Sequence, residues 1–284
     1  FKVPGYAAVN CIASFVSSSS VGVLITNRQY RKGLYTEKEA DLIATGFSAV
    51  SVGFAYMVIK TAGLGDYFLR VYFCSLVITL MISAVICRLP PLRNKRGVYA
   101  DGRAQTEEEI LAQRGTGNLL VKGFERAEKK AYTAGKLLPE IRDSVLDAMT
   151  VYPKVLTLLA GVGILGLIVA TYTPVFQWIG KIFIPILKLC AVPDAEVIAP
   201  SLPVGIAEMF LPVMLIADKV SELSIKARYM VTTVSICQII FFSETIVVML
   251  ASKLPLKLSD LVICFFERTF IAIPITAAFM HLMF

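Results

Sequence analysis

Apolar positions along the chain gather into long uncharged stretches separated by short charged ones. Residues 42–59, 71–87 and 155–180 contain no Asp, Glu, Lys or Arg. Residues 229–252 are interrupted only by Glu244, and 261–284 only by Glu267, Arg268 and His281. A helix that crosses a bilayer needs roughly 20 mostly apolar residues, so these five stretches are predicted as spans. Two further apolar stretches do not read as straight helices. Residues 2–30 contain Ser17, Ser18, Ser19, Ser20 and Gly22, and residues 191–219 contain Pro193, Pro200, Pro203, Gly205 and Pro212. Serines compete for their own backbone, and glycine and proline weaken or break a helix interior. Both stretches are predicted as re-entrant hairpins, whose non-helical tips are tolerated at membrane depth only against protein or a water-filled cavity.

The order hairpin, polar linker, span, span occurs twice. At an ungapped offset of 188 residues the Ser17 to Ser20 tip falls on Gly205, Ile206, Ala207 and Glu208, Thr36 falls on Ser224, and Thr45 on Thr233. The expected organisation is therefore a first repeat over 1–88 (hairpin 2–30, spans 42–59 and 71–87) and a polar linker over 89–152. A connecting span with an interfacial helix follows over 153–190, and a second repeat over 191–284 (hairpin 191–219, spans 229–252 and 261–284). Counting crossings makes the second hairpin open on the opposite side from the first. The fold class expected is an all-α polytopic membrane protein, an inverted repeat with about five full spans and two hairpins, the arrangement in which transporter sites form at the repeat interface.

Composition agrees with this pattern. Of 284 residues 56% are apolar and 17% charged, whereas soluble domains average about 45–50% and about 25%. Soluble globular and disordered classes are excluded. The net charge of +7 reads as the lysine and arginine excess of cytoplasmic loops, not as a nucleic-acid surface. Arg28, Arg31, Lys32, Lys38, the Arg88 to Arg96 cluster, Lys253 and Lys257 fall on one side, which is thereby assigned to the cytoplasm, in a bacterial inner membrane. The chain begins at Phe1 with no signal-peptide pattern, which is read as a fragment or a processed chain. Six cysteines lie in or beside apolar stretches with no C-x-x-C spacing, and are expected to be buried hydrophobes and not disulfides or zinc ligands.

Within the cytoplasmic linker, Thr106 is placed to cap a helix with Glu107, Glu108 and Glu109 in its first turn. Further on, Phe124, Ala127, Ala131, Leu137, Ile141, Val145 and Leu146 recur at helical spacing, a pattern suited to a membrane face, a partner, or a plain helical return to the membrane.

Ionisable side chains within apolar stretches are costly and point to function. Glu208 sits at the second tip, where it either contacts a ligand or caps the half-helix that follows, whose free N–H groups would otherwise face an anionic or polar ligand. Gln238, Ser243 and Glu244 lie on the next span, and at 100° per residue they share one site only with a local break of the helix or a wide cavity. Glu267 and Arg268 point apart, and Arg268 is expected to pair with Glu244 or Glu208, as part of a site or as a structural ion pair. The substrate-binding candidates are Ser17, Ser18, Ser19, Ser20, Glu208, Gln238, Ser243, Glu244 and Arg268. Asn27, Thr45 and Glu267 are candidates for ion coupling. Catalytic, metal and cofactor sites have no candidate: P-loop, H-E-x-x-H and G-x-S-x-G motifs are all missing, so an enzyme is not expected, and Na+ or H+ would supply the coupling.

Several segments together resemble the YjiH-type bacterial membrane proteins with Gate, or nucleoside-recognition, domains. They are Ser17-Ser-Ser-Ser-Val-Gly22, Leu24-Ile-Thr-Asn-Arg28, Tyr35-Thr-Glu-Lys-Glu-Ala40 with Ile43-Ala-Thr-Gly-Phe-Ser48, Glu208-Met-Phe-Leu-Pro212, Gln238-Ile-Ile-Phe-Phe-Ser-Glu244 and Glu267-Arg-Thr269. Gate domains also occur in concentrative nucleoside transporters and in ferrous-iron transporters. The resemblance implies two hairpin-plus-helix repeats and pairing with a second Gate-domain subunit, or a homodimer. The expected function is a subunit of a secondary transporter for a small polar solute, with a membrane scaffold for a partner protein and a divalent metal permease as alternatives.

Overall fold

The computed structural model describes residues 3–16, 18–48, 50–114, 172–252 and 254–284, with isolated positions between 115 and 171. Among the described residues the structure is helical, apart from one isolated antiparallel bridge between Val98 and Ala104. Helices α1 (Ala8–Val16) and α2 (Ser19–Arg31) pack against each other as the first hairpin. Gly22 permits their approach, since a Cβ there would lie 3.1 Å from Ser14 Cβ, and Asn10 Nδ2 donates to Thr26 Oγ1 at 2.6 Å between them. Ser17, at the tip, lies outside the described residues.

The stretch 42–59 is not one helix. It is divided between α3 (Glu37–Gly46) and α4 (Val52–Thr61), with a break over 47–51. A break leaves the last carbonyls of α3 without helical partners, and other elements supply them. Ser83 Oγ donates to Gly46 O at 2.5 Å, and Arg268 Nη1 donates to Thr45 O at 3.0 Å. After α4 the chain turns through Gly63 into α5 (Phe68–Ile86), which is continuous.

In the polar linker, α6 (Glu107–Arg114) starts with a reciprocal cap. Thr106 Oγ1 accepts from Glu109 N–H at 3.3 Å and Glu109 Oε2 accepts from Thr106 N–H at 3.1 Å. The amphipathic positions Phe124, Ala127, Ala131 and Leu137 lie outside the described residues, as does part of the span expected over 155–180.

The second half opens with α7 (Val175–Gly180) and α8 (Ile184–Leu189), and then α9 (Ala195–Ile198) tightens into a 3-10 stretch over Ala199–Ile206. Pro200 and Pro203 lack amide donors, which shortens the run of α-helical bonding there. Gly180 lets α7 seat on this stretch, because a Cβ would come within 2.6 Å of Pro200 Cα. After a non-helical tip, α10 (Leu211–Ala217) completes the second hairpin. The expected span over 229–252 is broken as well, into α11 (Ile225–Gln238) and α12 (Thr245–Ala251), and α13 (Leu258–Met283) runs uninterrupted through Pro274.

Hairpin, two half-helices and a long helix thus occur in the same order twice. The positions superposed by the 188-residue offset play one role: Thr36 Oγ1 accepts from Glu39 N–H at 3.3 Å to cap α3, and Ser224 Oγ accepts from Ala227 N–H at 3.2 Å to cap α11. Contacts also define two ends. At one end Arg31 Nη2 reaches Ser252 O at 3.3 Å, Lys38 Nζ reaches Arg93 O at 2.8 Å, and Lys95 Nζ reaches Asp260 Oδ2 at 2.8 Å. At the other, Arg228 Nη1 donates to Ala62 O at 3.3 Å and Gly63 O at 3.2 Å, and Ser224 N–H donates to Asp194 Oδ2 at 3.0 Å. The first hairpin opens toward the former end and the second toward the latter.

Among the described residues two helical segments are long and apolar enough to cross a membrane, Gly65–Ile86 with 22 residues and Leu258–Met283 with 26. At 1.5 Å per residue each exceeds the roughly 30 Å hydrocarbon thickness. On α5 the stripe Val71, Ser75, Ile78, Ile82 and Ile86 is buried, while Leu69, Phe73, Val77, Leu80, Met81 and Val85 are exposed on the other side. In water such a contiguous apolar face marks an interaction surface.

Candidate functional site

A cavity of about 270 Å³ lies where the two tips and the two helix breaks converge. The first half contributes Ser18 and Ser19 from its tip, Val50 and Ser51 from the α3–α4 break, and Phe54 from the first turn of α4. From the second half come Glu208 and Met209 at the hairpin tip, and Ile239, Phe241, Ser243 and Glu244 in the α11–α12 break.

The second break is fixed by backbone bonds to the second tip: Phe242 N–H donates to Ile206 O at 2.7 Å and Ser243 N–H to Ala207 O at 3.0 Å. Ile239 ends α11 with a φ of +46°, a conformation a β-branched residue rarely adopts, and one that tends to persist where surrounding structure enforces it. This turn swings Ser243 and Glu244 out of helical register, so both reach the cavity despite pointing 100° apart on an ideal helix.

Glu208 caps the half-helix behind it. Its Oε2 accepts from Phe210 N–H at 2.8 Å and from Leu211 N–H at 3.1 Å. The N–H groups that the sequence offered to an anionic ligand are therefore occupied by the protein's own carboxylate, while Glu208 still borders the cavity. Glu244 Oε1 accepts a short hydrogen bond from Ser20 Oγ, which joins the start of α2 to the α11–α12 break across 224 residues of sequence.

Arg268 does not pair with Glu208 or Glu244. It is fully buried, and its Nε and Nη2 donate to Cys237 O at 3.1 and 2.8 Å, while Nη1 donates to Thr45 O at 3.0 Å. Both carbonyls belong to the last turn of a broken helix, α3 in one half and α11 in the other. A helix C-terminus carries roughly −0.5 of an elementary charge, so two of them offset one guanidinium without a carboxylate. The expected ion pair is replaced by a double helix cap that ties the two breaks together.

Other sequence candidates lie off the cavity. Gln238 Nε2 donates to Leu202 O and to Thr269 Oγ1, both at 2.9 Å, and binds the second hairpin to α13. Its Oε1 presses on Gly205, where a Cβ would stand 1.9 Å away. Asn27 Oδ1 takes a 3.4 Å bond from Arg31 Nε, Thr45 Oγ1 donates to Asp41 O at 2.7 Å, and Glu267 Oε2 is buried without a hydrogen-bond partner. Sequence reasoning missed Val50, Phe54, Met209, Ile239 and Phe241 as walls of the cavity, since nothing distinguishes them from other apolar residues of their segments.

Among the described residues the lining thus holds two carboxylates, serine hydroxyls and two phenyl rings, and no lysine, arginine or histidine. Among the described residues no group of three or more His, Cys, Asp or Glu side chains stands close enough to hold a metal ion.

The chain is 36% identical over 285 residues to an uncharacterized protein of Alkalihalophilus pseudofirmus. The similarity covers 100% of this chain and 60% of that protein, so the chain spans about three-fifths of the length of the curated relative it matches. No family model matches the chain. No solved structure matches it either.

Proposed function

We propose that the chain is part of a multi-pass secondary transporter of the bacterial cytoplasmic membrane, related to Gate-domain proteins, that moves a small polar solute through the cavity between the two hairpin tips. The observation that carries this reading is the cavity itself, lined by two helix breaks and two hairpin tips from the two halves and holding two carboxylates. Tips that open toward opposite ends give each half the means to act as a gate on one side of a shared site. The exposed apolar stripe of α5 supports a lipid-facing surface. The basic end formed around Arg31, Lys38, Arg93 and Lys95 supports a cytoplasmic assignment for that side. The coupling ion is Na+ or H+, and a second Gate-domain subunit or a second copy completes the assembly.

Uptake into proteoliposomes under imposed Na+ and proton gradients, with a broad panel of labelled solutes, tests this reading. A solute taken up by the wild-type chain is expected to lose about tenfold in rate with Glu244→Gln, because a charged group that faces a solute directly is worth about 1.4 kcal/mol or more. Flux indifferent to both Glu208→Gln and Glu244→Gln overturns the site. A chain that moves nothing on the panel favours the scaffold reading, for which the fully committed Arg268 is the supporting observation.

A further inference from the structure

We infer that the cavity receives a small organic cation, a solute with a protonated amine, an inference that rests on the transport reading only for the place of the site. Glu208 and Glu244 are acceptors only, and no cationic side chain lines the space with them. Arg268, the fully buried cation, has its donors turned onto the carbonyls of Thr45 and Cys237. Ser20 gives Glu244 one hydrogen bond, and two backbone amides serve Glu208 Oε2, which leaves further acceptor capacity on both lining carboxylates.

An anionic solute would meet two carboxylates and, among the described lining residues, no lysine, arginine or histidine, although α2, α4 and α12 begin at the cavity with Ser18, Ser51 and Glu244 making no side-chain cap. A neutral hydroxylated solute would find acceptors but bring no charge to the carboxylates. An ammonium group brings three donors and a positive charge together. The walls make the same choice independently. Phe54, held edge-on by Phe210 at 6.1 Å between ring centroids, and Phe241 both line the space, and the negative face of a phenyl ring attracts an organic ammonium. A bare alkali ion gains little from such walls and wants a tight shell of oxygens, whereas this space is about 270 Å³. That volume lies just under the roughly 300–1,000 Å³ of drug-sized pockets, which fits a solute of few heavy atoms. Ser18, Ser51 and Ser243 would serve a hydroxyl on its far end.

Calorimetric binding to the full chain in detergent micelles distinguishes the charges at constant shape. Ethanolamine, ethylene glycol and glycolate are near-isosteric and carry positive, zero and negative charge; putrescine and choline extend the cationic set, and NaCl against KCl isolates the alkali ion. At least one amine is expected to bind while glycol and glycolate do not. Its affinity should fall at least about tenfold with Glu244→Gln and severalfold with Phe54→Leu, a variant that leaves every polar contact of the site in place. No heat with any of the amines, equal binding of ethylene glycol, or an affinity unaltered by both substitutions overturns the inference, as does a response to Na+ alone. An amine that binds with this dependence but is not carried into proteoliposomes leaves the inference standing and removes transport. Flux of a neutral solute without amine binding does the reverse.

Discussion

Replacing Arg268 with methionine is expected to lower the unfolding free energy of the chain by about 2–6 kcal/mol. The estimate follows from what stays behind. Methionine fills most of the aliphatic volume, so the loss is not mainly one of packing. The carbonyls of Thr45 and Cys237 keep their place in the interior and lose the three hydrogen bonds the guanidinium supplied. A buried acceptor left without a partner costs about 1–3 kcal/mol. The charge also goes, and with it the compensation of two helix C-termini. Arg268→Lys keeps the charge but not the fork that serves two carbonyls at once, and is expected to fall between wild type and Arg268→Met. Detergent-solubilised protein titrated with denaturant provides the comparison. A midpoint for Arg268→Met equal to that of the wild type would show that the breaks are held by something other than this cap.

Lys95→Met should cost about 3–5 kcal/mol in mildly alkaline solution and recover part of it as pH falls to neutral. Lys95 Nζ stands 2.8 Å from Asp260 Oδ2 and 3.3 Å from Asp41 Oδ2, and it also donates to Pro255 O at 2.5 Å. It therefore pins the linker to α3 in one half and α13 in the other. Burial alone would lower the Lys95 amine, but the hydrogen bond and charge of Asp260, with those of Asp41, hold it above its ordinary value. Because the folded value is the higher one, this lysine's contribution is fully present below its unfolded value and is lost as pH rises through the folded one, well into the alkaline range. Removing it leaves the fully buried Asp41 and the mostly buried Asp260 facing each other with no cation, the arrangement in which truncating one partner of a buried pair is most damaging. Burial pushes the Asp41 carboxyl up to about 7 even with Lys95 beside it, and without that lysine it rises further, so its protonation relieves the repulsion above neutral pH. The variant should then gain stability relative to wild type as pH falls through the mildly alkaline range toward about 7, in thermal melts of the purified chain. A pH-independent deficit would mean that Lys95 acts by packing alone.

Much of the helical outline was legible because it depends on local signals. Prolines and glycine mark the second hairpin, serines the first, and Thr36, Thr106 and Ser224 stand where a helix cap belongs. Glu208 and Glu244 stood out because charge is rare in apolar runs, and both border the cavity. The break between α3 and α4 was not legible as a break, and the one between α11 and α12 only as a condition for Gln238, Ser243 and Glu244 to share a site. Hydropathy measures only length and apolarity, and 42–59 satisfies it as one helix. What allows the chain to leave the helix there is a set of distant partners: Ser83 and Arg268 for the carbonyls of α3, Arg268 for Cys237, and Ile206 and Ala207 for the amides after α11. The same holds for Arg268 itself. Reading a buried arginine as seeking a carboxylate is sound when helices are continuous, and fails when two helix ends offer equivalent negative charge. Phe54 and Phe241 became cavity walls only through those breaks, so the aromatic half of the site was out of reach of any spacing argument.

The most direct test of the central claim is to fill the cavity without touching its charges. Ser51 lines the space at the break between α3 and α4, where an indole introduced by Ser51→Trp would occupy much of the 270 Å³. Proteoliposome uptake, measured beside a thermal melt of the same preparation, should show flux falling to background while the melt stays within a few degrees of wild type. Wild-type flux through Ser51→Trp, with the protein equally well folded, would contradict the assignment of the transport path to this cavity.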